Sequence, residues 1–362
     1  MREVTKTGGD LDAARGFAER ALKSNPLDER ALFLLGLIAE RQGNQARADA
    51  FIRLSDARTR RDPGPQAWLV NRDIQRGEFD WALAHADALL RVNWQFMEQL
   101  YPVLAGFMAG QRPLDALTKI LASGPPWRPD ALRRLSQSSD PRRLEQLFAA
   151  LQASEQPLKP NELAPYLERL IRDGQFTQAH RSWWATLPAQ QRSSQALLYN
   201  GDFTAQIDGL PFNWLLRPTN GVDIQVVASP GEPSGRALQL QFSGARAGVF
   251  TVGQLLPLPP GTYRLTGKVK AEGLRTERGL RWQVSCAESP PNTLGLTDLF
   301  AKATPWAGFS ADFTVPAANC AGQWLNLEIP SRTASEREID GRIWFENLGI
   351  ANTGPGAPPP VH

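Results

Sequence analysis

Apolar residues in the first half of the chain recur at i, i+3, i+4 and i+7, as in Leu32, Leu35, Gly36 and Ala39, and again in Phe79, Leu83, Ala86 and Leu90. This spacing lays one stripe along a 3.6-residue helix and predicts helices as far as about residue 198. Beyond Tyr199 the period falls to two. Val222, Ile224 and Val226, then Leu238, Leu240 and Phe242, then Leu325, Leu327 and Ile329 alternate with polar neighbours. Turn signals such as Ser229-Pro230-Gly231 and Pro259-Pro260-Gly261 separate these runs, which therefore read as strands. About eight to ten strands fit between 203 and 351, enough for two packed antiparallel sheets. The pattern divides the chain into a helical domain over 1–198, a β-sandwich over 199–352, and a Pro-rich tail over 353–362 that is expected to be disordered.

The helical half repeats. Gly9, Gly43 and Gly77 are each 34 residues apart, and Ala14, Ala48, Ala82 and Ala116 follow in the same phase. Pro26 and Pro63 close the first two units. A left-handed Gly ends one helix, a small Ala lets the next approach it, and Pro stops the pair. Gly, Ala and Pro at these offsets in a 34-residue helix–turn–helix resemble the tetratricopeptide repeat over about residues 8–120. Gly174 and Ala179 keep the five-residue spacing out of phase. Between the two, the Pro-rich stretch 121–165 is expected to form degenerate helix pairs of the same solenoid.

In this register Gly9 ends a helix that lies mostly upstream of Met1, so the array is expected to be truncated at its N-terminus. The resemblance implies a concave partner surface lined by first helices, carrying Arg30, Phe33, Leu37, Glu40 and Arg41 in one unit and Trp68, Asn71 and Gln75 in the next. Inter-repeat packing is an equal alternative for Phe33, Leu37 and Trp68.

In the second half, Asn200-Gly201-Asp202-Phe203 and Pro211-Phe212-Asn213-Trp214 are similar to the opening of jelly-roll carbohydrate-binding modules, and Ile343-Trp344-Phe345-Glu346-Asn347-Leu348-Gly349-Ile350 is similar to their last strand. The resemblance implies a structural calcium at Asp202 and Glu346, although Thr204 stands where the family commonly has Glu. Alternation sorts Gln239, Gln241, Arg281, Gln283, Trp324, Asn326 and Glu328 opposite the core residues of their strands. An aromatic ring with amides and charges on one sheet face suits a sugar; a solvated sheet with Trp324 covered is the plainer alternative.

Composition narrows these readings. A net charge of +3 in 362 residues, with no basic run, gives no reason to expect a nucleic-acid partner, and Arg142-Arg143 reads as a solvated helix end. No stretch approaches ~18 consecutive apolar residues, so membrane contact is expected only through a segment upstream of Met1. His85, His180 and His362 are scattered, and the first two read as polar surface positions. No phosphate loop, nucleophile elbow or metal helix motif is present. Asp298 and Glu328 are the carboxylates considered for glycoside hydrolysis. No cofactor is expected beyond the calcium that the family resemblance implies.

Cys286 and Cys320, the only cysteines, flank neighbouring strands and are read as a disulfide, with two reduced thiols as the alternative. A disulfide favours an oxidising compartment such as a bacterial periplasm or envelope; cytoplasm is the alternative. The sequence is therefore expected to encode a non-enzymatic protein-interaction scaffold of the cell envelope, linked to surface polysaccharide assembly or export. A glycan-binding protein is the alternative, and a glycoside hydrolase the third reading.

Overall fold

The computed structural model describes residues 8–59, 61–193, 196–231, 235–288 and 290–354, with backbone only at 8–10 and 193. From 355 onward the expected tail, with His362, lies outside the described residues. Packing divides the chain into two compact units, one ending at Leu158 and one beginning at Lys159.

The first unit is helical: α1 (Gly8–Ser24), α2 (Glu29–Arg41), α3 (Gln45–Arg58), α4 (Pro63–Arg76), α5 (Phe79–Val92), α6 (Met97–Gly106), α7 (Gln111–Ala122), α8 (Arg128–Ser138) and α9 (Pro141–Gln152). Side-chain caps fix the starts. Asp28 accepts from Ala31 N at 2.9 Å and Asn44 from Arg47 N at 3.1 Å. Asp62 accepts from Gly64 N at 3.0 Å with Pro63 in the first turn.

Gly43 and Gly77 follow α2 and α4 with φ of 76° and 71°, a conformation any Cβ would strain. Tight links therefore fold α2 onto α3 and α4 onto α5. At the first pair Gly36 is the point of closest approach, since a Cβ there would lie 2.3 Å from Ile52 Cγ1. Ala48 and Ala82 are fully buried. Gly9 is the second residue of α1, and the helix expected before it lies outside the described residues.

The Pro-rich stretch forms regular helices because its prolines start them. Pro129 and Pro141 occupy first-turn positions of α8 and α9, and Asp140 caps α9 through Arg142 N and Arg143 N. His85 departs from the surface position expected of it. It is 7% exposed, its Nδ1 is 2.8 Å from Gln66 Oε1, and its Nε2 is 3.5 Å from buried Asp73. Gln66, hydrogen-bonded in turn to Asp56, gives the buried imidazole a polar partner at Nδ1, and Asp73 lies on its other side.

The second unit starts with a helix pair, α10 (Pro160–Arg172) and α11 (Phe176–Trp184), turned at left-handed Gly174. Ten strands follow: β1 (Leu215–Arg217), β2 (Val222–Ala228), β3 (Arg236–Arg246), β4 (Thr251–Leu256), β5 (Gly261–Thr276), β6 (Arg281–Cys286), β7 (Thr293–Leu296), β8 (Thr304–Val315), β9 (Gln323–Glu328) and β10 (Glu338–Asn352). They form two antiparallel sheets, β1-β4-β9-β6-β7 and β2-β3-β10-β5-β8. Strands 3 to 6 alternate between the sheets, as do strands 8 to 10, the order of a jelly roll. Trp214, Trp282 and Phe345 meet in the core, with ring centroids 5.9 and 5.3 Å apart.

Although helical, α11 packs on the sandwich. Gly322 leaves room for the Phe176 ring, and Trp183 meets Tyr199 and Phe212 edge-on or tilted while its Nε1 donates to Asp208 at 3.1 Å. The change of periodicity near 198 thus falls between the last helix and the first strand at Leu215, and the packing division lies forty residues earlier, before α10.

Candidate functional site

Strand registers decide which of the expected sugar-face residues meet. On the β6–β9 ladder Arg281 is opposite Glu328, Gln283 opposite Asn326, and Ser285 opposite Trp324. Directly paired residues share a face, so Trp324, Asn326, Glu328, Arg281 and Gln283 stand together on the outer side of the first sheet. Their core-facing neighbours Leu325, Leu327, Trp282 and Val284 are buried. Gly253 and Leu255 of β4 and Leu215 of β1 extend the same face on one side, and Thr293 and Leu296 of β7 on the other. Five strands at ~4.8 Å spacing make a platform about 19 Å across.

Gln239 and Gln241 do not belong to this face. They lie on β3 in the other sheet, where Gln239 accepts from Trp344 Nε1 at 2.9 Å and Gln241 pairs with Arg342 and Asp223. Alternation identifies the two sides of a strand's own sheet, but it carries no information on which sheet a strand joins.

The platform is prearranged by its own hydrogen bonds. Arg281 donates from Nε and Nη2 to Glu328 Oε1 at 2.7 Å. Gln283 lies between Glu328 and Thr293. With its NH2 donating to the carboxylate at 2.8 and 2.9 Å and its carbonyl accepting from the Thr293 hydroxyl at 2.9 Å, both groups are satisfied. A chain of polar groups thus crosses β7, β6 and β9. The Arg281 and Glu328 side chains are 27% and 34% exposed, open enough to offer remaining donors and lone pairs to a ligand. Trp324 is half-buried, and the end of the face beside it is closed, with Leu255 and Ser285 buried. Gly253 keeps the floor flat, because a Cβ there would sit 2.1 Å from Asn326 Oδ1.

The carboxylates expected to hold calcium are engaged elsewhere. Glu346 is buried and accepts from Ser229 Oγ at 2.5 Å and Lys268 Nζ at 3.2 Å, so an ammonium already neutralises it. Asp202 accepts from Thr204 N and Oγ1 at 3.2 and 3.0 Å. Among the described residues no group of three or more His, Cys, Asp or Glu side chains is placed to hold a metal ion.

The opening motif forms a hydrogen-bonded clasp. Leu348 N donates to Gly201 O at 2.9 Å, Trp214 Nε1 to Asn200 O at 2.8 Å, and Ala205 N to Asn200 Oδ1 at 2.9 Å. A Cβ at Gly201 would lie 1.8 Å from Leu348 O, so no other residue fits there. Asn200 and Phe203 hold left-handed φ values of 52° and 56°, strain the clasp sustains.

Cys286 ends β6, Cys320 precedes β9, and the two are joined, with Cα atoms 5.0 Å apart. Of the carboxylates considered for hydrolysis, Glu328 is ion-paired with Arg281, while Asp298 lines a separate cavity beside β8.

In the helical unit, Arg30, Phe33, Leu37, Glu40 and Arg41 line one cavity of about 1150 Å³, completed by Leu11 and the α3–α4 link. Phe33 is itself core, buried against Ile52 and Leu69, with Trp68 packed on the same cluster outside the cavity lining. Asn71 and Gln75 are exposed on α4 and are not part of that lining.

No protein-family model and no curated protein matches the sequence. Solved structures resemble part of it. A CBM4 module is 16% identical, covering 43% of this chain and 99% of its own, with a TM-score of 0.33. A putative sugar binding protein from Bacteroides thetaiotaomicron is 12% identical, covering 44% of this chain and 100% of its own, with a TM-score of 0.34. A CBM61 module in complex with β-1,4-galactotriose is 13% identical, covering 44% and 99%, with a TM-score of 0.29. These likenesses are too slight to bear on what this chain binds.

Proposed function

We propose that the second unit binds an extended glycan across the outer face of its β1-β4-β9-β6-β7 sheet. The supporting observation is the register that gathers Trp324, Asn326, Glu328, Arg281 and Gln283 on one outer sheet face. Pyranose rings have apolar faces and a belt of hydroxyls. The Trp324 ring offers surface for stacking, and the Arg281–Glu328–Gln283 chain offers oriented donors and acceptors at no further ordering cost. The part of the face left accessible, across β9, β6 and β7, spans about 10 Å at ~4.8 Å per strand and suits a short run of sugar units lying across the strands. On this reading the chain is a binding protein without a catalytic step, and no calcium is required at Asp202 and Glu346. Calorimetric titration of the full chain with neutral hexasaccharides tests it. Trp324→Ala should weaken binding at least ~10-fold, the equivalent of ~1.4 kcal/mol. Equal affinity in the variant, or no binding by the wild type, would overturn the reading.

The convergence of Arg30, Phe33, Leu37, Glu40 and Arg41 on one cavity favours a second role for the helical unit, as a tetratricopeptide-like docking surface for a protein segment. The Cys286–Cys320 bridge favours an oxidising compartment, and a cell-envelope scaffold handling surface polysaccharide accommodates both roles. Crosslinking in cells through a photoreactive residue at Arg30 tests the second role. A partner captured equally well from the exposed Gln75 position would count against it.

A further inference from the structure

The β7–β8 connection carries features that the sheet platform does not use. Phe300 anchors it: its N donates to Leu280 O at 2.8 Å, its O accepts from Leu280 N at 3.0 Å, and its ring meets Phe309 and Phe345 edge-on at 5.2 and 5.4 Å. Fixed in this way, residues 298–304 and the adjoining parts of β5 and β8 line an open cavity of about 830 Å³. That volume lies within the ~300–1,000 Å³ of small-ligand sites.

Asp298 and Lys302 reach the cavity from the connection, both exposed, and neither is hydrogen-bonded or ion-paired to another described residue. Phe309, whose ring packs on Phe300 and Phe345, supplies apolar surface to the lining. An anion would meet Asp298, a cation would meet Lys302, and a wholly apolar ligand would strip water from both without replacing it. A neutral polyhydroxylated ring conflicts with none of these groups. Its vicinal hydroxyls donate to the carboxylate, another accepts from the ammonium, and its C–H face lies against the aromatic side.

We propose that this cavity is a second saccharide site, taking the end of a neutral glycan independently of the sheet platform. It shares the platform's ligand class and none of its residues, so the two readings fail separately. The test is calorimetry of the full chain with cellohexaose, laminarihexaose and mannohexaose, comparing wild type, Asp298→Asn/Lys302→Gln and Trp324→Ala. Both altered loop residues are exposed, so the double variant should keep the fold, which circular dichroism would verify.

The expected result is two sites for at least one probe, with the double variant losing one by at least tenfold and Trp324→Ala losing the other. A single site lost only in the double variant would uphold this cavity and overturn the platform. Isotherms unchanged by the double variant for every probe would overturn this inference and leave the platform standing. No binding by the wild type would overturn both.

Discussion

Replacing Cys286 and Cys320 together by alanine opens a loop of 34 residues that carries β7 and β8 and spans both sheets. Loop-closure entropy for that length is about 12–13 cal/mol/K, or about 3.7 kcal/mol at 25 °C, gained by the unfolded chain when the bridge is absent. Both half-cystines are buried, and alanine leaves little void, so packing adds only a small further loss. For a unit of this size the midpoint of thermal unfolding should fall by roughly 7–15 °C. Urea titration of the full chain, comparing the wild type with the double variant, isolates the loss in the sandwich, because the helical unit is common to both. Reductant should lower the wild type by a similar amount and leave the double variant unmoved. A loss below about 1 kcal/mol would refute the loop-entropy reasoning.

Gly36→Ala should destabilise the helical unit by about 1–3 kcal/mol, since its Cβ must displace Ile52 at the α2–α3 contact; chemical denaturation by helical dichroism measures it. Gly253→Ala meets Asn326 Oδ1 at 2.1 Å and Leu325 O at 2.8 Å, so it should cost stability and weaken hexasaccharide binding together, and intact binding would remove Asn326 from the platform. His180 is held below its ordinary pKa by burial among Trp183, Trp184 and Phe212. The unfolded chain therefore takes the proton first: stability is full above about pH 6.5 and is lost as pH falls toward the depressed value. His180→Phe keeps the ring packing, and should flatten that part of the stability–pH profile.

Local signals in the sequence carried far. The left-handed glycines at 43, 77 and 174, the buried alanines at 48 and 82, the alternating cores of β3, β6 and β9 and the cysteine pairing all stand where the residues implied. What was not legible depends on partners distant in the chain. Gln239 and Gln241 face outward as expected, but from the other sheet, because pleating is a property of one strand and sheet membership is not. His85 is buried because Gln66, Asp56 and Asp73 come to it from other helices. The helical pattern of α10 and α11 gave no hint that their aromatic residues serve the sandwich. Nor did the sequence show that the Lys268 ammonium sits on Glu346, since the two are 78 residues apart. Asp298 and Lys302 carried no pattern that tied them to a cavity, since a loop has no periodicity to read.

The clasp between Gly201 and Leu348 has a consequence for how such a module can be rearranged in evolution. Chain arriving at Asn200 reaches β10 at Leu348, four residues, or about 13 Å, before that strand ends at Asn352. A sandwich with adjacent ends can be spliced into a surface turn of another protein without prising that host apart. Moved in this way together with α10 and α11, which cover Tyr199, Phe212 and Gly322, it should carry its disulfide and both proposed saccharide surfaces with it, as portable cargo.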